Sequence, residues 1–153
     1  MSERKAVEKR RYTTKAINTG GRHGESRLVD GSFGVDVAMP KELGGPGNAV
    51  NPEQLFALGW SACFHSALER HMKAANVEGL SRVGIEIGLN TDPEIGGFKL
   101  VAALEVGIEG IDLATVQQLA NQAHGDCAYS KATRGNIEAT VTAIEPYFIE
   151  DSE

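Results

Sequence analysis

The stretch Asn51–His71, NPEQLFALGWSACFHSALERH, most constrains what this chain can fold into. Asn51 can cap, Pro52 is preset for a first helical position, and Gln54 can complete a capping box, so a helix opens at about Pro52. Leu55, Phe56, Cys63, Ala67 and Leu68 fall on an inner face and Glu69, Arg70 and Lys73 on an outer one, to about Ala75, where NVEGL stops the pattern. A long helix with one apolar side demands other layers to bury it. Within it Gly59, Cys63 and Ala67 recur at i, i+4 and i+8, a stripe nearly without bulk, while Trp60 and Phe64 point elsewhere. Another helix, or a substrate, can approach closely there. Cys63 is then either a small buried hydrophobe or a reactive group, and the pattern leaves both open.

The elements around this helix read as strands with one further helix. From Arg11 to Pro40 weak alternation is punctuated by NTGGRHGES and VDGSFG, which predicts a meander of three short strands. SRVGIEIGLNTD and FKLVAALEVGIEG flank a Pro93–Gly97 turn and predict a hairpin, with Val83, Ile85, Ile87 and Leu89 on one face. Asp112 caps a predicted helix whose Leu113, Val116, Ala120 and Ala123 recur until Gly125 ends it, leaving Cys127 just past its C-terminus. A final strand over residues 136–144 aligns Ile137, Ala139, Val141 and Ala143 before Pro146 stops it. The order is βββαββαβ, an α+β fold with two helices packed centrally with β-sheets.

At 153 residues the chain fits one domain, 1–153, with residues 1–10 expected to form a flexible N-terminus. A composition 41% hydrophobic and 24% charged supports a folded core without metal or disulfide staples. The net charge is −6, and the early basic residues Arg4, Lys5, Lys9, Arg10 and Arg11 alternate with Glu3 and Glu8, which argues against nucleic acid as a partner. No apolar run follows them and none spans a bilayer, so no membrane partner and a cytoplasmic location are expected. Two cysteines, 64 positions apart, are too few for a disulfide scaffold; in a reducing compartment such a pair is idle or redox-active.

NPEQLFALGWSACF, TGGRHG with a downstream DG, and HGDCAYSKATRGNIEATV resemble three signature blocks of the organic hydroperoxide resistance (Ohr) group of the OsmC/Ohr family. The resemblance runs from about Tyr12 to Pro146. NPEQLFA and YSKATRGNI are similar to the Ohr branch rather than to the osmotically induced OsmC branch, which favours organic over inorganic peroxide. It implies an intertwined homodimer with active sites at the subunit interface. It also implies a peroxidatic role for Cys63, a resolving role for Cys127, and a Cys63–Cys127 disulfide within one chain. Arg22 matches the family's thiolate-stabilising arginine and Glu53 the carboxylate that orients it. No cofactor is bound; the implied reductant is dihydrolipoamide or a lipoylated carrier protein. One departure is Ala128, where the family commonly has proline, which predicts a more mobile resolving loop and slower disulfide formation.

The chemistry is consistent with these assignments. Only a thiolate is nucleophilic, and a sulfenic acid must meet a second thiol before it oxidises irreversibly. A free cysteine has a pKa of about 8.5, and burial raises it, so Cys63 needs a cation; a guanidinium stays charged and can hold thiolate and carboxylate together. Glu53 and Cys63 are ten residues apart, about 15 Å along a straight helix and on different faces. Either the helix bends near Gly59, or Glu53 reaches the Cys63 of a second subunit, the preferred reading. Leu55, Phe56, Trp60, Phe64 and parts of the KELGGPG loop offer apolar surface suited to alkyl or fatty-acid hydroperoxides, though most of these residues are expected to be ordinary core. Ser130, Lys131, Thr133 and Arg134 receive no catalytic role, nor do His23, His65, His71 and His124. Zinc is disfavoured: Cys63 and His65 point about 200° apart on a helix, leaving only His124 and Cys127. A broader OsmC-like peroxidase and a non-enzymatic redox sensor remain alternatives.

Overall fold

The computed structural model describes residues 6–149, in the order β1 (Ala16–Thr19), β2 (Glu25–Leu28), β3 (Gly34–Asp36), α1 (Pro52–Ala74), β4 (Ser81–Thr91), β5 (Phe98–Ile108), α2 (Leu113–Asp126), α3 (Ala128–Thr133) and β6 (Glu138–Ala143). Short 3-10 turns occupy Gly21–His23, Lys41–Leu43 and Pro146–Phe148. Of the N-terminal ten residues expected to be flexible, 1–5 lie outside the described residues; 6–10 are exposed and without regular structure. The chain divides into two compact units, Met1–Pro52 and Glu53–Glu153.

The first unit contains the predicted meander. β1 pairs antiparallel with β2, Ala16 opposite Leu28, and β2 with β3, Glu25 opposite Asp36. The β1–β2 connection needs Gly20 and Gly21 at φ +89° and +63°, a region that glycine enters without steric cost. Asn18 stiffens it: its Oδ1 accepts from the Gly21 amide at 2.8 Å, and its Nδ2 donates to the Gly21 carbonyl and the Ser26 hydroxyl, both at 3.1 Å. The Gly21–His23 turn follows, and it carries Arg22.

In the second unit β4 and β5 form the hairpin, paired from Ser81 opposite Ile108 to Thr91 opposite Phe98. β6 joins β5 in parallel, a return that needs a crossover, and α2 and α3 supply it. The register places apolar residues in rows: Val83 opposite Val106 opposite Ala143, Ile85 opposite Leu104 opposite Val141, and Ile87 opposite Ala102 opposite Ala139. Against this face pack Trp60, Phe64, Ala67, Leu68 and Met72 of α1 and Val116, Leu119, Ala120 and Ala123 of α2, all in one hydrophobic cluster. The side-chain amide of Gln117 bonds the edge of β6, donating to the Val141 carbonyl at 3.0 Å and accepting from the Ala143 amide at 2.8 Å.

Three details depart from the periodicity. Leu113 is exposed because it sits in the first turn, and Leu119 takes the core position instead. α2 continues through Gly125 to Asp126, since the Cys127 amide still donates to the Ala123 carbonyl at 2.9 Å. The segment after Cys127, where the predicted order has no element, is the short helix α3, followed by Gly135 at φ +80°. At six residues it is too short to show a helical period. The Asp112 cap is present, its carboxylate accepting from the Thr115 amide at 2.9 Å.

Candidate active site

α1 runs unbroken from Pro52 to Ala74, through Gly59. Its heavy face is Trp60, Phe64 and Leu68, each with no exposed surface, so Trp60 and Phe64 fill the core rather than line a substrate pocket. Rings of that size sink toward the sheet, where they bury the most apolar area. Phe56, half-buried, remains beside them, edge-on to Trp60 at 5.5 Å and tilted against Tyr129 at 6.2 Å.

The small-residue stripe is occupied by the α2–α3 segment. At Gly59 a Cβ would stand 2.8 Å from the Tyr129 hydroxyl and 3.2 Å from its ring, so only glycine leaves the tyrosine its seat. The buried indole of Trp60 donates to the buried Ser130 hydroxyl at 3.1 Å. Between these contacts the Cys127 Sγ lies 3.2 Å from the Cys63 Sγ, and both cysteines are free thiols. The two cysteines singled out in the sequence therefore meet. Cys63 is half-buried, whereas Cys127 is 1% exposed, so a reagent from solvent reaches the first sulfur and not the second.

Their protonation behaviour diverges. Burial pushes the Cys63 thiol up, but the Tyr129 amide, the Cys127 thiol, the Ala128 amide and the Arg70 guanidinium together outweigh it and hold the pKa below that of an ordinary cysteine. Burial pushes the Cys127 thiol up, and the neighbouring Cys63 adds to that against hydrogen bonds from the Ser130 amide and hydroxyl. The less acidic Cys127 thiol is the donor toward the Cys63 sulfur. The sequence reading sought a cation for Cys63 and missed the two backbone amides, because main-chain donors leave no residue-type signature. It also set Arg70 on the outer face; Arg70 is exposed, yet seven residues along α1 brings it back to the Cys63 side, where its charge acts.

Ala128 opens α3, and its amide serves Cys63 in a way that proline, lacking an N–H, cannot. Arg22 lies half-buried in the 3-10 turn of the first unit. Glu53 lies half-buried in the first turn of α1, about 15 Å along the axis from Cys63 in a helix with no break at Gly59. His65 is engaged by the Ser81 hydroxyl at 2.8 Å and His71 by the Asp126 carboxylate at 2.9 Å. His124 packs beside Phe64 and keeps a buried Nδ1 without a hydrogen-bond partner; burial, then the charge of Arg134, lowers its pKa. Among the described residues no three His, Cys, Asp or Glu side chains converge to hold a metal ion, and no helix is long and apolar enough to cross a membrane.

Comparison with known proteins points the same way. The OsmC-like protein family matches residues 45–142. An organic hydroperoxide resistance protein of Xanthomonas axonopodis pv. citri is 40% identical over 136 residues, 88% of this chain and 96% of that protein. The crystal structure of an organic hydroperoxide resistance protein from Legionella pneumophila superposes with a TM-score of 0.82 at 41% identity, covering 88% of this chain and 98% of that one. One from Vibrio cholerae, with captopril bound in one of its active sites, gives 0.82 at 35% identity, covering 92% and 96%. With its fold and paired thiols, this chain belongs to the OsmC-like family and, within it, to the organic hydroperoxide resistance group.

Proposed function

We propose that the protein is a cysteine-based peroxidase that reduces organic hydroperoxides to alcohols. The observation that carries this reading is the pair of sulfurs 3.2 Å apart with opposed acidities, one half-exposed and one buried. The Cys63 thiolate attacks the hydroperoxide; the O–O bond breaks, the alkoxide leaves and takes a proton as the alcohol, and the sulfur is oxidised to sulfenic acid. Cys127 attacks that sulfenic acid, giving a disulfide and water. An external dithiol then reduces the disulfide by exchange and becomes a disulfide itself. On the family's pattern, dihydrolipoamide or a lipoylated carrier protein fills this role.

Arg22 adds a cation to the Cys63 thiolate and Glu53 orients it, in a homodimer where Glu53 serves the Cys63 of the second subunit. The unbroken α1 supports that arrangement over one within a single helix. A cytoplasmic location fits a dithiol reductant and two free cysteines.

The decisive experiment is anaerobic consumption of cumene hydroperoxide against hydrogen peroxide with reduced lipoamide as donor, using wild type, Cys63→Ser and Cys127→Ser. Catalytic turnover of the organic peroxide by wild type alone is expected. Oxidation without recycling by any dithiol would mark a redox sensor, and equal rates with both peroxides an OsmC-like enzyme of broader range. Mixed dimers of Glu53→Ala and Cys63→Ser chains test the shared site: activity above that of either homodimer is expected only if Glu53 acts across subunits.

A further inference from the structure

Within the peroxidase reading, disulfide formation depends on a distance. The Cys63–Cys127 bond forms, the S–O bond of the sulfenic acid breaks, and the hydroxyl departs as water with the Cys127 proton. The sulfurs must close from 3.2 Å to the roughly 2.05 Å of a disulfide. Cys127 is the single residue joining α2 to α3, at φ −61° and ψ 128°. Its amide bonds the Ala123 carbonyl of α2, and its carbonyl accepts from the Lys131 amide of α3, both at 2.9 Å. Those bonds fix Cys127 to its own two helices.

Placement against α1, which carries Cys63, also draws on two side-chain hydrogen bonds that cross over from either side of the joint. Downstream, the Trp60 indole donates to Ser130 at 3.1 Å. Immediately upstream, His71 Nε2 donates to Asp126 Oδ2 at 2.9 Å, with Arg70 Nη2 3.9 Å from the other carboxylate oxygen. Arg134 closes the joint on itself, donating from Nη2 to the His124 carbonyl at 2.6 Å and the Gly125 carbonyl at 3.1 Å. Side-chain exposures of 27% for His71 and 48% for Asp126 mean their pairing adds little to global stability, so its effect is local.

We propose that Asp126 is a positioning residue for disulfide formation: hydrogen-bonded to His71, it holds the α2–α3 joint against α1 and keeps the Cys127 sulfur within bonding reach of Cys63. Asp126 acts through the backbone of the adjacent Cys127. Loss of the tie lets the joint drift and lowers the effective concentration of one thiol toward the other, which rates of joined reactants follow steeply.

The test compares wild type with Asp126→Ala, Asp126→Asn, whose carbonyl oxygen still accepts from His71, and His71→Ala. Equilibration with a glutathione redox series gives the effective concentration of the two thiols without any peroxide. Rapid mixing with cumene hydroperoxide, with dimedone trapping of sulfenic acid, separates the first step from resolution. Asp126→Ala and His71→Ala are expected to lower the effective concentration and the resolution rate by about tenfold, with Asp126→Asn close to wild type and thermal midpoints unchanged. A wild-type effective concentration in Asp126→Ala overturns the proposal, as does an Asn variant as impaired as Ala or a loss that tracks thermal stability. If wild-type protein forms no sulfenic acid with the hydroperoxide, the peroxidase reading falls, while the glutathione equilibrium still judges Asp126.

Discussion

The two cysteine neighbourhoods differ in almost everything but the side chain. Cys63 lies mid-helix on α1, half-exposed, with the amides of Ala128 and Tyr129 turned toward it; Cys127 lies at a joint between helices, buried, with the Ser130 hydroxyl and amide at hand. The first is made acidic and the second less so, although burial pushes both upward. Desolvation acts on both thiols alike, and the donors arranged around each sulfur separate them. Most of what makes Cys63 acidic is presented by the other segment, and the Arg70 of its own helix contributes least.

The largest expected effect is on selective alkylation. Reduced protein treated with iodoacetamide at about pH 6 should be modified at Cys63 more than tenfold faster than at Cys127, read by peptide mass spectrometry, since both thiolate fraction and access favour it. Comparable labelling would erase the contrast. Next comes Ala128→Pro. Position 128 is the first of α3 and Cys127 has an extended ψ of 128°, so proline fits the backbone and deletes one donor to Cys63. The thiolate absorbance should then titrate at higher pH, and alkylation near pH 6 should slow severalfold, because the charged form loses one hydrogen bond while its other donors remain. An unchanged titration would assign the acidity to the remaining donors.

Ser130→Ala leaves the buried Trp60 N–H without its acceptor and should cost about 1–3 kcal/mol in urea unfolding, with a shift in Trp60 emission. The smallest effect belongs to His124. Its folded pKa lies below the ordinary value of about 6.5, so the unfolded chain binds the proton more readily. Its contribution is complete above that ordinary value and is lost as pH falls through it toward the lower folded pKa. Urea midpoints measured from about pH 7 to pH 5 should therefore fall less in His124→Gln than in wild type.

Much of this was legible in advance, and unevenly. α1 announced its start through Pro52 and part of its face through the spacing of Ala67 and Leu68, although Phe64, read as pointing elsewhere, is buried with them; the hairpin and Asp112 cap were equally open to reading. α3 was not, because six residues carry no periodic signal, and Leu113 was assigned to a core that Leu119 occupies, because a first-turn residue can satisfy the pattern while facing water. Trp60 and Phe64 were candidates for pocket surface among residues mostly expected to be core, and only the placement of the sheet beneath them assigned both to the core. The family's blocks singled out the two cysteines, and the structure sets their sulfurs 3.2 Å apart, a distance that spacing alone did not give.

What the amino-acid sequence determined by itself was every strand and the two longer helices, together with the identity of the two thiols, since local propensity, capping and alternation act over a few residues and can be read along the chain. Tertiary structure alone decided which sulfur is acidic and which stays protonated. Those states depend on burial, on each thiol's meeting with the other 64 positions away, and, for Cys63, on main-chain amides just beyond Cys127, and electrostatic energies follow separation in space rather than order in the chain.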